Sequence, residues 1–316
     1  KPFAVESAAL SSKDGLHLPP PRASLAPVSL ASVMEEQATG KFPSATSSTG
    51  MLNPRGEYNF LNVIVQTLWH VEAFRKSLMS AATDDPIVAA LRALFEELTA
   101  SHAASDGATR APISPEALRI LLSKDEHFKL ADMADAAEAF ETLLNRIKAS
   151  GAEAAISVFE AMLIDASSLA SKPQPQPCSA FVLYASVAAL REVADRSKPF
   201  DEVLRLRLVA AGAAPLTPSA TESRKISVGP LPPVFTFGLA WDSTQQSREA
   251  LDAVLERIDE TIDISKVLAG VDSPRPASLC GIVCYYAAHY IAMVHDPQMH
   301  SWLHFDDTSD PSHSVW

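Results

Sequence analysis

The chain has 316 residues, 47% of them hydrophobic, enough to bury a sizeable core in one large domain or two smaller ones. Its 26 basic and 38 acidic residues leave a net charge of −12, which argues against nucleic acid or an anionic membrane as the main partner and favours a basic one, such as a basic peptide tail. The three cysteines, Cys178, Cys280 and Cys284, are odd in number and lack C-x-x-C spacing, so neither a disulfide framework nor a cysteine zinc site is expected, and a reducing compartment is.

No apolar run reaches the roughly 18 residues of a membrane span, and the first residues lack the charged-then-apolar order of a signal peptide. A first residue of Lys is compatible with a fragment of a longer chain. Residues 1–48 are rich in Ser, Pro and Ala, include Pro19-Pro20-Pro21 and show no sustained period, so a disordered lead-in is expected.

The stretch from Gly56 to Trp69 is a Gly/Asn-bearing turn running into an apolar helix, the arrangement that aims a nucleophile along the first helical N–H groups. It carries no Ser or Cys, and its single Thr, Thr67, lies well inside the helix. Leu61, Ile64, Val65, Leu68, Val71 and Phe74 recur at helical spacing, with Val63 and Trp69 on other faces, which predicts a helix buried nearly all round. Asp85-Pro86 caps a second helix with Ile87, Leu91, Leu94 and Leu98 on one stripe, and Ser114-Pro115 starts a short one. The series Leu130, Met133, Ala137, Phe140, Leu144, Ile147 predicts a further helix with Asp135 and Glu138 together on another side, ended by Gly151. Another amphipathic stretch runs to about Ala166, and Lys172 to Pro177 is a stiff connector taken as a subdomain boundary.

Beyond the connector, Phe181 to Tyr184 suggests a strand, Pro199-Phe200 opens a helix, Gly212–Pro233 reads as a loop, and Val234 to Trp241 has strand composition. A helix with Leu251, Val254, Leu255 and Ile258 precedes three terminal strands, Leu279–Tyr286, Tyr290–His295 and Trp302–Asp306. A helical half followed by a mostly antiparallel sheet half is α+β architecture, with residues 49–172 and 173–316 as the two parts.

His289 opens one terminal strand and Asp306-Asp307 ends the next, so a hairpin would bring imidazole and carboxylate together as a base pair facing the buried helix. The same residues also fit a strand-end histidine and a turn, and Asp132 with Asp135 fits a capping box. His295, His300 and His304 lie near these acids, but their spacing matches no familiar ligand motif, so no metal is expected.

From about residue 50 onward the motifs resemble those of the ubiquitin-specific proteases, in particular a divergent subgroup without zinc fingers. They are Phe60-Leu61-Asn62 through Gln66-Thr67-Leu68-Trp69-His70, Asp132 to Phe140, Phe237-Gly238-Leu239-Ala240-Trp241-Asp242, and Val283-Cys284-Tyr285-Tyr286 through His289-Tyr290 with Phe305-Asp306-Asp307. The resemblance implies a papain-like fold with a helical thumb, an antiparallel β palm and reduced fingers. It implies His289 as general base, Asp306 (or Asp307) as its orienting acid, Asn53 at the oxyanion, and Asp135 and Glu138 against the basic tail of ubiquitin. It implies ubiquitin or a ubiquitinated protein as partner, no cofactor, and an intracellular location, cytoplasmic or nuclear.

Two departures stand out. The family's cysteine would fall between Asn59 and Phe60, which are joined directly, so the nucleophile reads as deleted rather than substituted. Ala287-Ala288 replaces a Gly-containing turn before His289. The leading expectation is a ubiquitin-recognising domain impaired in catalysis. The alternatives are an active deubiquitinase whose cysteine has dropped out of the sequence as written, a non-enzymatic adaptor that binds another protein through its helical half, and a hydrolase using Cys284 with His289.

Overall fold

The computed structural model describes residues 5–12, 50–53, 58–103, 111–124, 128, 134–165, 169, 176–192, 198–209, 225–241, 248–286, 289–297 and 300–307. Most of the lead-in, the Gly56 turn, Asp132, most of the Lys172–Pro177 connector, Asp242 and Ala287-Ala288 lie outside these residues. No helix among the described residues is long and apolar enough to cross a membrane.

The helical half begins with α1 (Asn59–His70), whose ten buried residues occupy nearly every face, as the apolar run predicts. The periodic pattern continues to Phe74, but the helix breaks at Val71 and restarts as α2 (Glu72–Ser80). Arg75 explains how the break is held: its guanidinium donates to the Trp69 carbonyl and lies 4.7 Å over the Trp69 ring. Helix α3 (Pro86–Ala103) starts where Asp85 accepts the Ile87 N–H at 2.9 Å, the expected cap. Helix α4 (Glu116–Leu122) follows, then α5 (Ala136–Ala149), which is closed by Gly151 at φ +83°.

After a single turn, α6 (Glu153–Ile156), the stretch expected to be amphipathic helix becomes strand β2 (Ala161–Asp165) instead. The five residues gain their ladder from partners distant in sequence, which a local pattern does not show. The strand pairs with β3 (Cys178–Ala180) and with β6 (Lys225–Ser227), the latter inside the expected Gly212–Pro233 loop. This small three-stranded sheet crosses the expected boundary at residue 172.

The large sheet runs β11-β10-β9-β1-β7-β4-β5, with β8 (Thr261–Asp263) also on β9. Its members are β4 (Val182–Ser186), β5 (Leu208–Val209), β7 (Val234–Ala240), β9 (Pro276–Tyr286), β10 (His289–Asp296), β11 (Ser301–Phe305) and β1 (Val5–Ser12). Among the described strands of this sheet, only the β4–β7 pair is parallel. Strand β1 corrects the expected lead-in: residues 5–12 pair antiparallel with β7 on one side and β9 on the other. Ladders on both edges order a segment whose composition alone could not.

Helices α7 (Val187–Glu192), α8 (Phe200–Arg207), α9 (Arg248–Leu255) and α10 (Ile264–Val267) belong to the sheet half. The sheet separates two cores by its period of two. Val283, Tyr290, Ala292 and Val294 pack with α1 to α5, whereas Phe235, Phe237, Leu239, Ile282 and Met293 pack with α8 to α10. One face of β9 and β10 is thereby pressed against α1, which brings the two halves of the site together.

Candidate active site

The head of α1 is fixed from below. Arg119 of α4 is fully buried, donates to the Phe128 carbonyl at 2.7 Å, and lies 5.2 Å from the Phe60 ring and 6.0 Å from that of Tyr58. The Tyr58 hydroxyl is 2.6 Å from Glu116, and the Tyr58 carbonyl accepts the Leu61 and Asn62 N–H groups. Asn59 is thus the first helical residue and is 2% exposed.

The other half of the site comes from the hairpin. With Ala292 opposite Phe305, the start of β10 and the end of β11 lie side by side, and His289 Nε2 is 2.8 Å from Asp306 Oδ1. Its Nδ1 is 3.0 Å from Asn59 Nδ2. The Asn59 amide orientation follows from its other end, because Oδ1 accepts the Phe60 N–H at 2.7 Å and only the NH₂ group can then face the ring. A carboxylate on Nε2 and a donor on Nδ1 leave one neutral tautomer, in which Nε2–H donates to Asp306 and Nδ1 accepts from Asn59.

Asp307 is a separate hub. It lies 3.6 Å from His289 Nε2, too far for a hydrogen bond, and instead accepts from Asn53 Nδ2 at 2.9 Å and from Asn62 Nδ2 at 2.5 Å. Burial pushes its carboxyl above the usual range, while the two amide donors pull the other way. Asn53 is held at both ends, its Oδ1 accepting the Tyr58 N–H at 2.8 Å and one Nδ2 hydrogen going to Asp307, and the second Nδ2 hydrogen is the donor it could offer an oxyanion. His289, Asp306 and Asp307 each offer a ligand atom within 4.8 Å of one another. The Asp307 oxygens are already engaged by Asn53 and Asn62, which makes this a poor cation cradle.

Asp135 is itself the cap of α5, accepting the Ala137 and Glu138 N–H groups at 2.9 and 3.0 Å, so the helix starts later than its apolar period suggests. Burial raises the Asp135 carboxyl against the pull of those two donors. The Tyr290 hydroxyl, one residue from His289, accepts the Ala136 N–H at 3.2 Å and docks this cap beside the hairpin. Glu138 is exposed in the first turn, and Glu141, one turn on, accepts from the Tyr184 hydroxyl at 3.0 Å. Tyr184 crosses β7 at Gly238, where a Cβ would come within 2.6 Å of its ring.

The family model for ubiquitin carboxyl-terminal hydrolase matches residues 49–312. The chain belongs to the ubiquitin carboxyl-terminal hydrolase family. It is 27% identical over 306 residues to mouse ubiquitin carboxyl-terminal hydrolase 54, covering 84% of this chain and 19% of that protein. It is 26% identical over 308 residues to the human hydrolase 53, covering 85% and 28%. The chain therefore spans 19% and 28% of these relatives' length. Among solved structures, a chain of the SAGA DUB module Ubp8/Sgf11/Sus1/Sgf73, bound to monoubiquitin, superposes with a TM-score of 0.51 at 16% identity, over 89% of this chain and 69% of that one. The fold is the papain-like α+β fold of these deubiquitinases.

In this hydrolase domain no thiol stands at the head of α1. Cys178 is exposed in the small sheet, Cys284 is 2% exposed within the second core, and burial pushes the Cys280 thiol up to about 12. Sequence reasoning missed three participants. Asn59 and Asn62, three apart on one helix face, were legible as a pair, whereas Arg119 gave no signal beyond a charge in an apolar run.

Proposed function

We propose that this domain binds ubiquitin, alone or on a modified protein, in the seam between its helices and its sheet, and that it holds the ubiquitin tail without cleaving it. Family membership supports the partner. So do the net charge of −12 and the carboxylates of Asp135 and Glu138, at the cap and in the first turn of α5, which a basic tail could meet.

In this reading His289 is the base and Asp306 holds its tautomer, as in any relay that hands a proton from a nucleophile to a leaving amine. The observation that carries the loss of cleavage is the amide at 3.0 Å from Nδ1. An amide nitrogen has no free lone pair to attack a carbonyl and gives up no proton to imidazole near neutral pH. Removing the attacking group from such a relay costs on the order of 10⁶-fold in kcat.

Calorimetric titration with ubiquitin tests the binding, and a ubiquitin with a fluorogenic C-terminal amide tests the cleavage. Binding without fluorophore release is expected. Absence of binding would leave the adaptor role for another protein as the surviving account, and release of fluorophore would restore the active enzyme.

A further inference from the structure

We infer that Asn59 occupies the nucleophile's own seat, so that the cysteine was replaced rather than deleted and the remaining relay is competent to activate a thiol placed there. The inference rests on the family reading above for its substrate, but its geometry is independent of ubiquitin.

Three observations carry it. Asn59 is the first helical residue, and its side chain, not a gap between two residues, meets His289 Nδ1 at 3.0 Å. Asn59 Oδ1 accepts the Phe60 N–H at 2.7 Å, so the amide oxygen takes the helix N-terminal donor that would favour a thiolate. The base arm draws its acid from the hairpin and not from the helix, because Asp306 holds Nε2 at 2.8 Å. A Cys side chain is shorter than Asn and fits the space the amide fills. Its thiol would face a neutral Nδ1 able to accept its proton, next to a free backbone N–H.

The test compares Asn59→Cys with a variant in which Cys is inserted between Asn59 and Phe60, each also carrying Cys178→Ser. The first readout needs no ubiquitin: the rate of iodoacetamide alkylation between pH 5 and 9, by intact mass. Asn59→Cys is expected to react at pH 6 about tenfold faster than the same protein with His289→Ala added, the mark of a thiolate held by imidazolium. The second readout is ubiquitin bearing a C-terminal propargylamide. The thiol S–H adds across the triple bond, sulfur to the internal carbon and proton to the terminal one, and nothing leaves. Asn59→Cys is expected to form this vinyl thioether, and the insertion variant is not.

Labelling of the insertion variant alone, an alkylation rate unaffected by His289→Ala, or failure of Asn59→Cys to unfold cooperatively would each overturn the inference. Fast alkylation of Asn59→Cys with no ubiquitin labelling would uphold the seat and overturn the proposed partner, so the two failures are distinguishable.

Discussion

The hairpin arm and the helix arm of this site have fared differently. On the hairpin, His289 and Asp306 keep a 2.8 Å contact and a defined tautomer, although neither group packs a core. On the helix, the backbone is held as firmly, by Arg119, Tyr58 and Glu116, yet the side chain offered to His289 is an amide. The scaffold of a site and its reactive atom are separable: the first is spread over many contacts, while the second is a single substitution. A domain can therefore lose turnover and keep the surface that positions substrate.

Asp307 is where the two arms are tied, so its removal should have the largest effect. Asp307→Ala takes an acceptor from both the Asn53 and Asn62 amides, leaving Asn62 Nδ2 with the Leu52 carbonyl at 3.2 Å, and is expected to destabilise by about 3 kcal/mol, measured by urea unfolding. If stability is unchanged, the arms are independent and the tie is incidental.

His70, at the far end of α1, gives a comparable effect spread over pH. Burial lowers its pKa from 6.5 to about 4, with its Nδ1 on the Gln66 carbonyl and its ring 5.2 Å from Phe305. The unfolded chain binds the proton first, so stability present above pH 6.5 is lost as pH falls toward 4, at most about 3 kcal/mol. Asp135, Glu141 and Asp307 act with the opposite sign, because burial raises them and the folded state takes up their protons first on acidification. Comparing wild type with His70→Phe isolates the histidine: the variant should show a flatter fall in melting temperature between pH 6.5 and 4.

Asp135 separates cap from charge. Asp135→Ala should cost about 1 kcal/mol of stability and weaken ubiquitin binding about tenfold, whereas Asp135→Ser should keep the cap and lose the same affinity. Equal affinity for Asp135→Ser and wild type would reduce this residue to a helix cap.

The smallest effect concerns the native thiols. Iodoacetamide at pH 8 should modify Cys178 and spare Cys280, whose thiol is held up at about 12, and Cys284, which is 2% exposed. Fast modification of Cys284 would revive a hydrolase built on that residue.

Much of this was legible in the sequence where one residue's neighbours are its own chain. The α1, α3 and α5 patterns follow from a period of 3.6, β7 from its aromatic and β-branched composition, and the hairpin of the terminal strands brings His289 to Asp306. What was not legible depended on remote partners. Val5–Ser12 has no strand pattern of its own and is ordered by β7 and β9, and Ala161–Asp165 is a short run whose strand identity comes from β3 and β6. The break at Val71 needed Arg75 on Trp69. Asn59 was misplaced for a different reason: the bond to Phe60 was read as a gap, although Asn59 is itself the residue directly before Phe60-Leu61-Asn62, and its side chain is the one that meets Nδ1.

Binding and cleavage can be followed on one labelled molecule. Ubiquitin with a fluorogenic C-terminal amide and a second, anisotropy-reporting dye is mixed with the unmodified domain. A saturable rise in anisotropy with no release of the C-terminal fluorophore is expected. Release above the spontaneous rate, or no rise at all, would contradict binding without cleavage.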